Sequence, residues 1–132
     1  MKIYGIERHF KLTVGAYREI ARLLPDGNIE GLGSLLSGND AMMMMQMIFN
    51  LAVIMSKWAE KQETYERISA GEDPKQVIAA MPRPLSVEEL ETLPMEAVLG
   101  SLKDEVIQAF IDSQNTEIPL KKTEMTEGTE ED

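Results

Sequence analysis

The chain has 132 residues, of which 43% are hydrophobic, a net charge of −10 and no cysteine. An acidic chain lacks the clustered Lys and Arg that bind nucleic-acid phosphates, so we expect no nucleic-acid partner. Without cysteine, it has neither a disulfide framework nor a thiol site. The length and apolar content predict one folded domain, residues 1–113, with a core of its own.

The N-terminal segment, residues 3–12, alternates between apolar and polar side chains. Its apolar set is Tyr4, Ile6, Phe10 and Leu12. This period of two predicts a short, half-buried β-strand. Because no second strand pattern follows, we expect the strand to pair across a subunit boundary or to remain unpaired. The first residues contain no long apolar run, so we expect no secretory signal.

Two short helices are predicted next, over about 14–24 and about 28–36. Thr13 is a suitable N-cap for the first helix, and the Pro25-Asp26-Gly27 turn ends it. The inward-facing residues of the first helix are expected to be Ala16, Tyr17, Ile20, Ala21 and Leu24.

The segment from Asp26 to Gly31 is similar to the first half of a calcium-binding loop. Such a loop requires a bidentate Glu at its twelfth position, and that position is Ser37. We therefore expect a turn followed by a helix rather than a calcium site.

The central segment, residues 40–70, has helical periodicity and contains no Pro or Gly. Asn39 or Asp40 can cap it and Gly71 can end it, which gives one helix about 45 Å long. One apolar stripe runs along it and consists of Met44, Met47, Leu51, Ile54, Met55, Trp58 and Tyr65. Its members Met47, Leu51, Ile54, Met55 and Trp58 are expected to be core.

A second apolar stripe lies roughly opposite the first and consists of Met42, Met45, Phe49 and Val53. The first half of the helix is therefore apolar nearly all round, and either this chain or another must cover it. A methionine-rich core is one explanation. Flexible thioethers also suit a surface that repacks around a partner, and we predict that these four residues form a partner-binding site.

The same apolar stretch, residues 41–55, is shorter than the roughly 18 residues that a membrane span requires. It also contains Gln46 and Asn50. We expect no membrane partner and a cytoplasmic location.

Helix-start signals recur in the C-terminal half at Asp73-Pro74, at Ser86 and at Pro94. The last helix should extend to about 112, with an inward set of Met95, Val98, Leu99, Leu102, Val106, Phe110 and Ile111. Residues 114–132 contain six acidic and two basic residues and few apolar ones. They are expected to be a disordered acidic tail. The predicted fold class is all-α, built around the long central helix, with a short N-terminal strand.

No constellation of catalytic or metal-binding residues is present in the sequence. His9 is the only histidine, and Glu60, Glu63 and Glu66 are interleaved with Lys and Arg, which is typical of a solvated helix face. The glycines match no nucleotide-binding motif. We expect neither enzymatic activity nor a cofactor nor a metal.

The stretch from Phe10 to Leu36 resembles the N-terminal segment of tail assembly chaperones from long-tailed phages and prophages of Gram-positive bacteria. The resemblance rests on Lys11-Leu12-Thr13-Val14-Gly15, Arg18-Glu19-Ile20, Pro25-Asp26-Gly27 and Leu32-Gly33 before Leu35-Leu36. The long helix and the segment Ser86-Val87-Glu88-Glu89-Leu90 follow in the same order. These are structural residues, not a catalytic signature, and they span about residues 8–112.

The resemblance implies a small, mostly helical, non-enzymatic protein that covers apolar helices of the tape measure protein and assists assembly of tail tube subunits. It also implies a protein that acts in the bacterial cytoplasm and is absent from the mature virion. Because self-association would let many copies cover one long client, we expect a homo-oligomer. Many members exist in a short and a frameshifted longer form. Two alternatives remain open: a helical adaptor or regulatory module with a compact partner, and an enzyme or metal-dependent protein that uses the Glu clusters.

Overall fold

The computed structural model describes residues 1–24, 26–38 and 40–115. The fold is mostly helical with one long central helix, which confirms the predicted class. Its elements are β1 Lys2–Ile3, β2 Ile6–Glu7, α1 Val14–Ala21, a 3-10 turn Ile29–Gly31, α2 Leu32–Leu36, α3 Ala41–Ser69, α4 Pro74–Ala80, α5 Val87–Glu91, α6 Met95–Ala97, a π-helical turn Val98–Leu102 and α7 Lys103–Asn115. The predicted disordered tail was residues 114–132, but Gln114 and Asn115 belong to α7, and the rest of it, from residue 116 onward, lies outside the described residues.

The N-terminal segment forms a β-hairpin, so the expectation of a single strand without a partner in its own chain is wrong. Strands β1 and β2 pair antiparallel, with Lys2 opposite Glu7 and Ile3 opposite Ile6. Tyr4 and Gly5 both have positive φ, at 49° and 80°, as the two central residues of a type I′ hairpin turn require. The alternation was therefore interrupted by a turn, which leaves Tyr4 exposed.

Helix α3 is the element on which the other helices pack. It contacts α1, α2, α4, α5 and α7. The Asp40 side chain caps it by accepting a hydrogen bond from the Met43 N–H at 3.1 Å, and the chain turns away at Gly71 with φ +104°. The buried residues of α3 begin only at Ile48: Ile48, Phe49, Leu51, Ala52, Met55, Ser56 and Ala59.

The core contains most, but not all, of the residues that periodicity placed there. In the first stripe, Leu51 and Met55 are fully buried and Tyr65 is exposed. Met47, Ile54 and Trp58 are partly buried and pack against the core. Tyr17, Met95 and Ile111 were also expected to face inward and are exposed. Helical spacing fixes the direction of a side chain but not whether a neighbouring helix covers it.

The short helices begin where the capping residues predict. Thr13, Asp73 and Ser86 each accept a hydrogen bond from a backbone N–H in the first turn of their helix. The predicted last helix is one helical stretch, but a π-helical turn interrupts it at Val98–Leu102. Such turns occur frequently at functional sites.

By length and composition, α3 is long and apolar enough to cross a membrane, and one third of its most apolar window, 33%, is buried within this structure. The core helix of a soluble protein meets the same criterion. The absence of a membrane partner therefore stays a prediction.

Candidate protein-binding groove

The first two turns of α3 are apolar but not buried. Five of the first seven residues of α3 are methionines, and none of the five is buried. Met42 is 74% exposed and Met43 is 53% exposed. Because burial of large apolar side chains stabilises a protein by about 1.5–3 kcal/mol each, an uncovered cluster of this kind marks a surface that can gain free energy from a partner.

These turns form one wall of a groove of about 270 Å³, which we call the methionine groove. The other wall comes from α5, α6 and the residues around them. The residues that line the groove are Met42, Met45, Gln46, Phe49, Leu90, Glu91, Leu93, Met95 and Val98.

Burial is graded across the methionine groove from its floor to its rim. Leu90 and Val98 are buried at the floor, and Met42 and Met95 are exposed at the rim. This arrangement, a buried apolar centre with an exposed and partly polar edge, is typical of protein-binding surfaces. The volume lies below the roughly 300–1,000 Å³ of small-molecule sites.

The four residues predicted to bind a partner differ in their exposure and in whether they line the groove. Met42 is exposed, Met45 and Val53 are half-buried, and Phe49 is 8% exposed and packs within the core. Met42, Met45 and Phe49 line the groove, whereas Val53 does not. The interpretation of Phe49 as a surplus surface residue is therefore wrong, because α5 and the π-helical turn Val98–Leu102 pack on α3.

The opposite wall was not identified from the sequence. Leu90, Leu93, Met95 and Val98 come from a region about 50 residues further along the chain, and only the fold brings them beside α3. Helical spacing predicted core positions for Met95 and Val98 only, and without the topology nothing connected any of the four with Met42 and Met45.

The polar edge of the groove is acidic. Glu91 is exposed, and within the described part of the chain no Lys or Arg forms an ion pair with it. Gln46 donates to the Asn50 side chain at 3.4 Å. The lining residues comprise one carboxylate and no hydroxyl, thiol, imidazole or amine, so they offer apolar contact and one negative charge rather than a nucleophile–base pair.

A second polar cluster surrounds the buried Arg8. Its Nη1 donates to Glu60 Oε2 at 2.9 Å and to the Arg83 carbonyl at 2.7 Å, while its Nε and Nη2 have no partner among the described residues. Burial raises the pKa of the Glu60 carboxyl, and the hydrogen bond from Arg8 opposes that effect. The pair ties the hairpin to α3 and to the segment before α5, so Glu60 is not the simple solvated residue that the charge pattern predicted.

The other candidate sites have ordinary structural environments. In the calcium-loop-like segment, the Asp26 side chain accepts from the Asn28 N–H at 3.0 Å, and the 3-10 turn and α2 follow. His9 is exposed, and Glu63 forms an i,i+4 ion pair with Arg67. Across the described ranges, no group of three His, Asp or Glu side chains is placed to hold a metal ion.

Comparisons with family models, with curated proteins and with solved structures return no match to this chain.

Proposed function

We propose that this protein is a non-enzymatic tail assembly chaperone that binds apolar helical segments of a tape measure protein and assists assembly of the tail tube. The sequence resemblance over about residues 8–112 supports the proposal, and so does the mostly helical fold. The observation that carries it is the incompletely covered start of α3, where Met42 and Met43 are exposed and Met44, Met45 and Met47 are only partly buried.

The methionine groove would cover apolar residues of the client before the tail tube does. A tape measure protein is long and helical, and its apolar faces are exposed to aggregation until the tube encloses them. Flexible methionine side chains at the rim suit a client whose apolar faces vary along its length. Such a chaperone acts in the bacterial cytoplasm and leaves before the virion is complete.

Gene order gives the first test of this proposal. A chaperone of this type predicts a gene for a large helical tape measure protein immediately downstream and a gene for the major tail protein upstream. A neighbourhood without any tail genes would contradict the proposal.

Co-expression gives the biochemical test. The tape measure protein is expressed alone, with the wild-type chain, or with a Met42→Ser/Met45→Ser variant, and its soluble fraction is measured. We expect the wild-type chain to keep the client soluble and to co-purify with it, and the variant to do so much less. An Ile78→Ser variant is the matched control, because Ile78 is an exposed apolar residue on α4, outside the groove. No effect of the wild-type chain on the client would overturn the proposal.

The stoichiometry of the purified complex separates this function from the adaptor alternative. A chaperone should load several copies on one long client. A single copy on a compact partner would favour an adaptor.

A further inference from the structure

The outer face of α1 complements the methionine groove. On that face Val14 is 77% exposed and Tyr17 is 47% exposed, and Arg18 and Arg22 are exposed beside them. In the described part of the chain, neither arginine forms an ion pair. The outer face of α1, defined by these four residues, is therefore an apolar strip with two positive charges, of which Arg22 also attracts the nearby Glu19 carboxylate.

The groove offers the opposite charge. Residues 84–102, which include α5 and α6, contain no Lys or Arg, and residues 41–56 of α3 contain no charged residue at all. Glu91 lines the groove and Glu96 is exposed on α6 beside Met95, and no ion pair compensates either one among the described residues. An apolar groove with an acidic edge thus faces solvent on the same molecule as an apolar helix face with a basic edge.

These two surfaces cannot meet within one chain. The inner residues of α1, Ala16 and Ile20, are completely buried in the core that α1 shares with α3. This packing fixes the outer face of α1 away from α3, and therefore away from the groove that α3 lines. An α1 helix in the groove therefore has to come from another molecule.

We propose that the methionine groove binds the outer face of α1 from a second copy of this chain. Val14 and Tyr17 contact the apolar floor and the methionine rim, and Arg18 lies against Glu91 at the acidic edge. This is a helix-in-groove contact between two different surfaces of identical chains. The inference rests on the proposed function in one respect: the tape measure protein has to displace α1 to reach the same groove.

Charge reversal on each side tests the contact. Glu91→Lys places a positive charge opposite Arg18, and Arg18→Glu places a negative charge opposite Glu91. Each variant alone should associate about tenfold more weakly than the wild type in sedimentation velocity over a concentration series. An equal mixture of the two variants should recover wild-type association, because every contact between unlike variants again joins opposite charges.

The controls carry the same charge changes elsewhere. Glu88→Lys alters α5 outside the groove, and Lys75→Glu alters the exposed start of α4. Both should associate as the wild type does. The fluorescence of Trp58, the only tryptophan, reports whether each variant is folded. A monomeric wild type at every concentration, or a mixture that fails to recover association, would overturn the inference.

The two proposals fail in distinguishable ways. If self-association changes with the charges at Arg18 and Glu91 as expected but the tape measure protein does not bind, the inference stands and the proposed function fails. If the tape measure protein binds but charge reversal at Arg18 and Glu91 leaves self-association unchanged, the proposed function stands and the inference fails.

Discussion

Trp58 shows how a few side chains fix the position of α1 on α3. Its indole Nε1–H donates to Glu19 Oε2 at 2.5 Å, and Lys57 donates to the other oxygen of Glu19 at 2.8 Å. The Lys61 ammonium lies 5.4 Å from the centroid of the Trp58 ring, within cation–π range. On the α1 side, the ring packs directly on Gly15.

Replacing Gly15 by Ala should destabilise the fold. A Cβ at position 15 would lie 2.4 Å from the Trp58 ring, and the hydrogen bond to Glu19 holds that ring in place. We expect a loss of about 1–3 kcal/mol in urea unfolding, in spite of the better helix propensity of Ala. Gly33→Ala in α2 is the control, since nothing lies within 4 Å of its Cβ position. Equal stability of the two variants would contradict this packing.

Glu19 should make stability depend on pH. The hydrogen bond from Lys57 lowers the pKa of the Glu19 carboxyl below its ordinary value of 4.5, and the bond from Trp58 adds to this effect. A lowered folded-state pKa gives stability that is present above the ordinary value and is lost as the pH falls through the lowered one. Glu19→Gln should therefore be less stable than the wild type at pH 7, and the difference should shrink at about pH 3.5. Urea unfolding at both pH values measures it. A difference that does not change with pH would exclude the linkage.

Arg8 is a buried residue that the sequence analysis did not identify. It shares the even-numbered side of the N-terminal segment with Ile6 and Phe10. The structure buries it because Glu60 and the Arg83 carbonyl accept its hydrogen bonds. Both partners are distant in sequence, so the burial of an arginine at this position could not be derived from the sequence.

At the scale of elements, local chemistry predicted most helix boundaries. Capping side chains and a proline at the first helical position act within a few residues, and Thr13, Asp40, Asp73 and Ser86 all act as predicted. The hairpin was missed because two-residue strands are too short for a period-two pattern. The π-helical turn was missed because the spacing of apolar residues continued across it.

The two faces of α3 predict opposite responses to mutation. Leu51 is completely buried, so Leu51→Ala should lower the free energy of unfolding by about 2–5 kcal/mol. Met42 is exposed at the groove rim, and Met42→Ser should change the free energy of unfolding by less than about 0.5 kcal/mol. Thermal and urea unfolding of both variants checks this contrast. A large loss from Met42→Ser would mean that the start of α3 is covered within the monomer.

Phe49 is a buried core residue like Leu51, so we expect its mutation to destabilise the fold as well. It lines the floor of the groove and is buried where α5 and the π-helical turn pack on α3, so its removal should unfold the monomer as well as weaken binding. The sequence located half of the candidate site, the methionines of α3. The other half depends on long-range packing, which no local pattern encodes.

At the scale of the whole molecule, the folded part should not need the acidic C-terminal segment. Helix α7 ends at Asn115, and residues 116–132 contain few apolar residues that could add to the core. A chain truncated after Asn115 should keep its melting temperature within a few degrees. Differential scanning calorimetry measures this directly. A clear fall in melting temperature on truncation would show that the segment packs against the fold.

The start of α3 presents an apolar surface that the rest of the described chain covers only in part. The apolar start of the helix, the methionine rim and the acidic edge together favour an apolar helix with a basic flank as the occupant. A second copy supplies such a helix in α1, and a client helix would compete for the same position. Exchange between the two would keep the groove covered until the client arrives.

The most direct test of the groove as the binding surface is methyl NMR with carbon-13-labelled methionine. The Arg18→Glu variant, in which the proposed contact between copies is weakened, is titrated with the tape measure protein. The methyl signals of Met42, Met45 and Met95 should shift or broaden, because these residues line the groove. Those of Met55, buried in the core, and Met81, at the end of α4, should not change. Changes confined to Met55 and Met81, or no change at saturating tape measure protein, would contradict the account.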